Sequence, residues 1–262
     1  MQQIISKENG LIKHIIKLKE KKYRNEYQEF IVEGAKIVEE AINENADVKK
    51  IIICEDTINS ELFRKHLNEK IKKFECVEVP KNIFKLISDV EQPQGILAII
   101  NKNQNKDINY SDDIIIALDD IQDPGNLGTI IRTVDSCNLK QILVSKGTVD
   151  AFNPKVLRST MGAIFRVNII ECENLKETLQ EVKKNKFNLV VTELGANKTI
   201  YDLKLNKSTI IIGNEANGVS DEIIKIADEK VIIPMLGKTE SLNASVATGV
   251  ILYEYVRQKL SK

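Results

Sequence analysis

Three short stretches in the second half of the 262-residue chain bring polar, charged and turn-forming residues together in patterns that can do chemistry. The first runs from Asp119 to Gly128, where Pro124-Gly125 forces a turn and Asn126 is suited to cap the helix that follows and carries Arg132. The second is Gly213-Asn214-Glu215-Ala216-Asn217-Gly218, in which two glycines frame a carboxylate. Such a loop can cradle a ligand, but it lacks the lysine of a P-loop and Glu215 repels an anion, so a neutral or cationic ligand fits better. The third runs from Ile233 to Ser245 and opens a long helix, with Ser241 where a cap belongs and free N–H groups behind it for the acceptor atoms of a ligand. Each stretch alone also reads as a plain turn; their joint occurrence makes a candidate site.

These loops need elements to position them. Apolar runs at Ile114–Leu118, Ile142–Val144, Val167–Ile170, Leu189–Thr192, Thr209–Ile212 and Val231–Ile233 alternate with helical stretches, the pattern of a parallel sheet covered on both faces. In such sheets ligands bind beyond the carboxyl ends of the strands, which is where all three loops fall. Residues 1 to 100 read as a smaller α/β unit. It opens with an amphipathic helix (Leu11, Ile12, Ile15, Ile16, Leu18) ending near Tyr23, followed by strands at Phe30–Val32, Ile51–Cys54, Cys76–Val79 and Ile96–Ile100. Helices are expected after Gly34, around Leu62, Phe63, Leu67 and Ile71, and around Ile83–Ile87. The polar stretch 101–112 is a linker, which leaves 113–262 as the second domain.

Other chemistries lack parts. No G-x-G-x-x-G follows Leu118, which excludes a dinucleotide fold of that kind. The only histidines, His14 and His66, lie on expected helices of the first unit and read as surface or helix-face residues rather than members of a hydrolytic triad. Cys54, Cys76, Cys137 and Cys172 are widely spaced, without zinc-ligand companions, and read as reduced, mostly buried thiols; no metal is expected. The 38 basic residues balance 38 acidic ones, so any contact with a polyanion must be local. A local excess exists at Lys13, Lys17, Lys19, Lys21, Lys22 and Arg24 against a single acid, Glu20. No apolar run reaches the roughly 18 residues of a membrane span, and a cytosolic location is expected.

Taken in order, the three stretches resemble the three motifs of the SpoU (TrmH-like) branch of the SPOUT methyltransferase superfamily. The first motif is similar to Asp123 through Thr133, the second to Ile210 through Gly218, and the third to Ile233-Pro234-Met235 through Ser241-Leu242-Asn243-Ala244-Ser245-Val246-Ala247. The resemblance spans residues 113–258, and residues 1–100 are similar to the small ribosomal-protein-like substrate-binding domain at the front of many members. It implies an α/β fold whose parallel sheet ends in a deep C-terminal trefoil knot, and a homodimer packed around that knot.

The same resemblance implies S-adenosylmethionine as methyl donor, held by main-chain groups near Gly213, Ile233 and Leu242 with Thr192 and Leu236 nearby. Glu215, Ser241, Asn243 and Asn126 match polar positions of the active site, and Arg132 matches the arginine associated with activating a ribose 2′-hydroxyl. Arginine stays protonated in proteins, so stabilising negative charge is the better role for Arg132 than taking a proton. RNA contacts are expected at Lys13, Lys17, Lys21, Lys22, Arg24 and Arg158. The front domain points to ribosomal RNA, most specifically 23S RNA. A transfer RNA substrate, or a catalytically silent RNA-binding relative, are the alternatives.

Overall fold

The computed structural model describes residues 1–58, 60–61, 63, 67, 69–102 and 107–261. The expected helix around Leu62 and the position of His66 lie outside the described residues in part or whole. The chain divides into two compact units, residues 1–103 with 152–165, and 104–151 with 166–262.

The first unit is built on a five-stranded mixed sheet in the order β1-β4-β3-β5-β2. Its strands are β1 (Gln2–Gln3), β2 (Glu29–Glu33), β3 (Val48–Cys54), β4 (Cys76–Val79) and β5 (Ile96–Asn101). Around it lie helices α1 (Gly10–Lys17), α2 (Lys21–Tyr27), α3 (Ala35–Asn43) and α4 (Lys81–Ile87). Ile12, Ile15 and Leu18, spaced for one helix face, are buried with Ile52, Val77, Leu97 and Phe84. The expected single helix through Tyr23 is in fact two. Asn9 caps α1, its side chain accepting the Leu11 N–H at 2.8 Å, and a turn at Leu18–Glu20 separates α1 from α2.

That turn corrects one expectation. Arg24 is 2% exposed, and its Nη1 donates to the carbonyls of Leu18 at 2.9 Å and Lys19 at 2.7 Å. It fastens the turn rather than facing a polyanion. A charge pattern counts every cation as solvated; here the guanidinium satisfies main-chain carbonyls that a helix end leaves open.

Residues 152–165, which the sequence reading leaves in the second domain, belong to the first unit and include helix α6 (Pro154–Thr160). Phe30 on edge strand β2 packs against Phe152 with ring centroids 4.6 Å apart and stacks on Phe165 at 6.5 Å. Burying side chains of this size contributes about 1.5–3 kcal/mol each, a contact that strand and helix patterning cannot reveal.

Glu29 at the start of β2 is nearly buried, and its carboxylate accepts hydrogen bonds from Lys49 and from His14, the latter at 2.5 Å. Burial pushes this carboxyl up, but the hydrogen bonds and charges of Lys49 and His14 together outweigh it and hold the group below the ordinary glutamate range. A depressed folded-state pKa contributes stability above the unfolded value that is lost as pH falls through the folded one. We expect Glu29→Gln to cost about 1–3 kcal/mol at neutral pH and to weaken the acid sensitivity of unfolding below about pH 4. Denaturant titrations of both proteins across that range check this; equal stabilities at neutral pH would refute it.

The second unit carries a seven-stranded, wholly parallel sheet ordered β10-β12-β9-β11-β6-β7-β8. The strands are β6 (Ile114–Asp119), β7 (Gln141–Ser145), β8 (Asn168–Cys172), β9 (Asn188–Thr192), β10 (Lys198–Thr199), β11 (Ser208–Gly213) and β12 (Glu229–Ile232). Helices α5 (Pro124–Ser136), α7 (Leu175–Lys184), α8 (Asp221–Ile224) and α9 (Ala244–Leu260) complete it, with α9 packed on α5. The continuous apolar runs of β6 and β11 are buried because helices cover both faces. Starting at β6, the chain steps outward through β7 and β8 and then returns on the other side of β6. The β6–β11 pair is therefore the switch point, where the ends of parallel strands open a crevice.

Candidate functional site

Beyond the carboxyl ends of β9, β11 and β12 lies a cavity of about 340 Å³, within the size range of small-molecule sites. Its walls include Thr192, Gly213, Ile233, Met235, Ser241 and Leu242. Residues 235–242 form neither helix nor strand and make no main-chain to main-chain hydrogen bond with a described residue, which leaves their N–H and C=O groups available to a ligand. Among the described residues the cavity is lined by the carboxylates Glu193, Glu215 and Glu240 and by no lysine or arginine, which favours a ligand carrying positive charge.

The loop after β11 is shaped by close approach. Asn214 and Gly218 exchange main-chain hydrogen bonds at 3.0 and 2.9 Å, and the Asn214 side chain accepts the Ala216 and Asn217 N–H groups while donating to the Asp120 carbonyl at 2.9 Å. A Cβ on Gly213 would lie 2.1 Å from the Gly218 carbonyl carbon. Only glycine permits that closure. Asn214 is the residue that sequence reasoning missed, although an asparagine opening a Gly-rich turn is a known signal for a side chain that closes the turn.

A chain of side-chain hydrogen bonds ties the three sequence stretches together. Asn126 donates through Nδ2 to Glu215, and its Oδ1 accepts from Asn243 Nδ2 at 2.8 Å. Asn243 in turn accepts the N–H groups of Ser245 and Val246, at 3.0 and 3.3 Å. Two capping expectations change accordingly. Asp123, not Asn126, caps α5, accepting the Asn126 N–H at 2.8 Å, and Asn243, not Ser241, caps α9. Each cap expectation was offset by two or three residues, which frees Asn126 and Ser241 to face the site.

Of the residues expected around the donor, Thr192, Gly213, Ile233 and Leu242 line the cavity. Leu236 does not: its side chain is fully exposed, and Met235 stands in the wall instead. Arg132 lies on the exposed side of α5, outside the cavity wall, and its guanidinium makes no hydrogen bond or ion pair with a described residue. Arg158 is half-buried on α6 of the first unit. Lys13 pairs with Glu8 at 2.6 Å; Lys17, Lys21 and Lys22 are exposed. The four cysteines are free, and burial pushes each thiol up, away from reactivity. Among the described residues no cluster of histidine, cysteine and carboxylates could hold a metal, and no helix is long and apolar enough to cross a membrane.

Beside the cavity the switch-point loops of the parallel sheet are bound into one polar cluster, and a family match over residues 113–253, more than half of the chain, makes this chain a member of the SpoU family of RNA methylases. The SpoU rRNA Methylase family model matches residues 113–253, and the MRM3-like substrate binding domain matches residues 9–98. Among characterised relatives, the 23S rRNA (guanosine(2553)-2′-O)-methyltransferase RlmP of Bacillus subtilis is 32% identical over 255 residues, covering 97% of this chain and 98% of the relative. Two solved structures share the fold over nearly their whole lengths. The AdoMet-bound rRNA methyltransferase of Sinorhizobium meliloti aligns with TM-score 0.86 and 27% identity, covering 98% of this chain and 97% of that one. The SpoU methyltransferase AviRb of Streptomyces viridochromogenes, in complex with AdoMet, aligns with TM-score 0.87 and 25% identity, covering 97% and 99%.

Proposed function

We propose that this protein transfers a methyl group from S-adenosylmethionine to a ribose 2′-hydroxyl of 23S ribosomal RNA in the cytosol. The observation that carries the reading is the Glu215–Asn126–Asn243 chain, which joins three distant stretches at the mouth of one cavity. Near-complete coverage of RlmP, front unit included, favours ribosomal RNA over transfer RNA.

The cavity fits S-adenosylmethionine on its own chemistry. Open main-chain groups between Met235 and Leu242, with Gly213 and Ile233, suit an adenosine, and the surrounding carboxylates suit a cation. Bound there, the donor supplies an electrophilic methyl group on its sulfonium. The protein's part is to hold the two reacting atoms close and dry, and no metal is needed for that. Thr192 and Leu242 contribute apolar and main-chain wall, while Ser241 and Asn243 border the side from which the ribose approaches. Arg132, exposed and without a partner among the described residues, binds the phosphate next to the target and stabilises charge developing on the 2′-oxygen; that phosphate or solvent takes the proton. Because the reacting group is the 2′-hydroxyl, DNA is not a substrate.

The proposal extends to architecture. Residues 1–100 bind the RNA, 101–112 link, and 113–262, apart from the segment 152–165 that belongs to the first unit, carry catalysis with the C-terminus threaded through a trefoil knot. In support, β12 enters the sheet between β10 and β9 rather than at its edge. Two copies pair through the knotted region, and Val246, Tyr253 and Leu260, exposed at seven-residue intervals along α9, offer an apolar stripe for that pairing.

Two measurements test the reading. Mapping 2′-O-methyl marks across 23S RNA from cells with and without the protein should reveal one lost mark; unchanged marks would refute the assignment. Asn126→Ala should lower the transfer rate about tenfold to a hundredfold, the equivalent of losing one charge-assisted hydrogen bond. Donor affinity measured calorimetrically should hold, because Asn126 is not in the cavity wall. A rate equal to wild type would remove the hydrogen-bonded chain from the mechanism.

A further inference from the structure

The first unit carries an aromatic and basic cluster that the methyl-transfer site does not use. Tyr23 and Tyr27, one turn apart on α2, are half-buried and stack with ring centroids 6.2 Å apart and planes 13° apart. Lys17 from α1 and Lys22 from α2 both bring their ammonium groups over the Tyr23 ring, at 5.3 and 5.5 Å from its centroid. Neither lysine makes an ion pair with a described residue, although Glu20 and Glu26 stand in the same short segment.

The cluster is held from below. Arg24 fixes the α1–α2 turn through the Leu18 and Lys19 carbonyls, which sets Lys17 opposite Lys22. The Tyr27 ring packs edge-on against His14 at 4.7 Å, and His14 is tied to the buried Glu29. The arrangement therefore exists before any ligand arrives, so little ordering remains to oppose binding.

We propose that Tyr23, flanked by Lys17 and Lys22, is a stacking platform for one unpaired nucleobase of the RNA substrate, with the two lysines holding the phosphates on either side. This rests on the reading of the chain as an RNA methyltransferase. A tyrosine face accepts any base, and cations resting on a ring that is only half-buried are held weakly enough to move onto phosphates. A base in a duplex is already stacked on both faces and cannot use the platform, which selects a loop, bulge or single strand.

The test uses the full-length protein, a fluorescein-labelled single-stranded RNA oligonucleotide, its duplex, and vesicles of anionic lipid. Tyr23→Ala should weaken single-strand binding at least about fivefold, and Tyr23→Phe should match wild type. Donor affinity of both variants, measured on the same preparations, should be unchanged. The double variant Lys17→Gln, Lys22→Gln should reduce the slope of log affinity against log salt by about 1.4, two phosphates at 0.7 each. If Tyr23→Ala fails to fold, photo-crosslinking of 4-thiouridine RNA to the wild-type protein decides, with an adduct expected on the peptide holding Tyr23.

Wild-type RNA affinity in a folded Tyr23→Ala protein would overturn the platform, as would adducts confined to other peptides or binding to vesicles in place of RNA. The methylation reading fails separately, if the wild-type protein transfers no methyl group to ribosomal RNA while the Tyr23 effect on RNA binding persists.

Discussion

Replacing Arg132 with alanine should lower methyl transfer about a hundredfold to a thousandfold, the usual loss when one preorganised donor to a developing oxyanion is removed. Donor affinity should stay at the wild-type value, because Arg132 stands outside the cavity wall and has no partner among the described residues whose loss would disturb the fold. Arg132→Lys separates the possible roles. Lysine keeps the charge but not the planar, two-pronged donor geometry, so a rate between those of alanine and wild type is expected. Charge stabilisation exchanges no proton at residue 132, so the pH profile of the lysine variant should parallel that of wild type. A lysine variant as fast as wild type at every pH would rule out two-pronged charge stabilisation. A profile displaced along the pH axis would instead make residue 132 a titrating group. Single-turnover transfer of a labelled methyl group, paired with calorimetry for the donor, supplies both readouts.

Gly213→Ala should remove donor binding altogether, by at least about a hundredfold in affinity, or roughly 2.8 kcal/mol. The new methyl group would fall 2.1 Å from the Gly218 carbonyl carbon and 2.2 Å from the Val219 nitrogen, main-chain atoms that cannot swing away as a flexible side chain would. Relief requires the 214–218 loop to open, which breaks the paired Asn214–Gly218 hydrogen bonds and withdraws Glu215 from Asn126. The β11 ladder, from Ser208 to Gly213, is anchored on both sides by β6 and β9, so the damage should stay local. Thermal unfolding should therefore move far less than donor affinity. Retained binding in the alanine variant would mean that this loop does not form the donor site.

These two residues illustrate what is legible in a sequence. Gly213 could be singled out because a glycine directly after an apolar strand, with a second glycine five residues on, marks a tight turn at a strand end; the atom it must avoid was not visible. Arg132 could be singled out by its place in a motif. That it stands free on an exposed helix face depends on how α5 packs against the sheet and α9.

Arg24 and Leu236 show the opposite case. Arg24 sits in a run of cations and reads as one of them, yet the turn after α1 leaves the Leu18 and Lys19 carbonyls needing a donor, and Arg24 supplies it. Leu236 was placed beside the donor by resemblance alone; the segment after Pro234 is neither helix nor strand, so no regular period fixes which of its side chains turns inward. The two short strands at Gln2–Gln3 and Lys198–Thr199 were likewise unreadable, since two residues carry no pattern.

By itself the sequence determined the longer strands of both halves, the parallel character of the second sheet and the three loops at its strand ends, because burial on both faces writes continuous apolar runs into the chain. Tertiary structure alone decided that Asn126, Glu215 and Asn243, up to 117 positions apart, form one hydrogen-bonded chain, and that Phe152 and Phe165 complete the first unit. Local periodicity reports which way a side chain faces. Which distant partner it meets there depends on strand order and packing, and those are settled by the whole core at once.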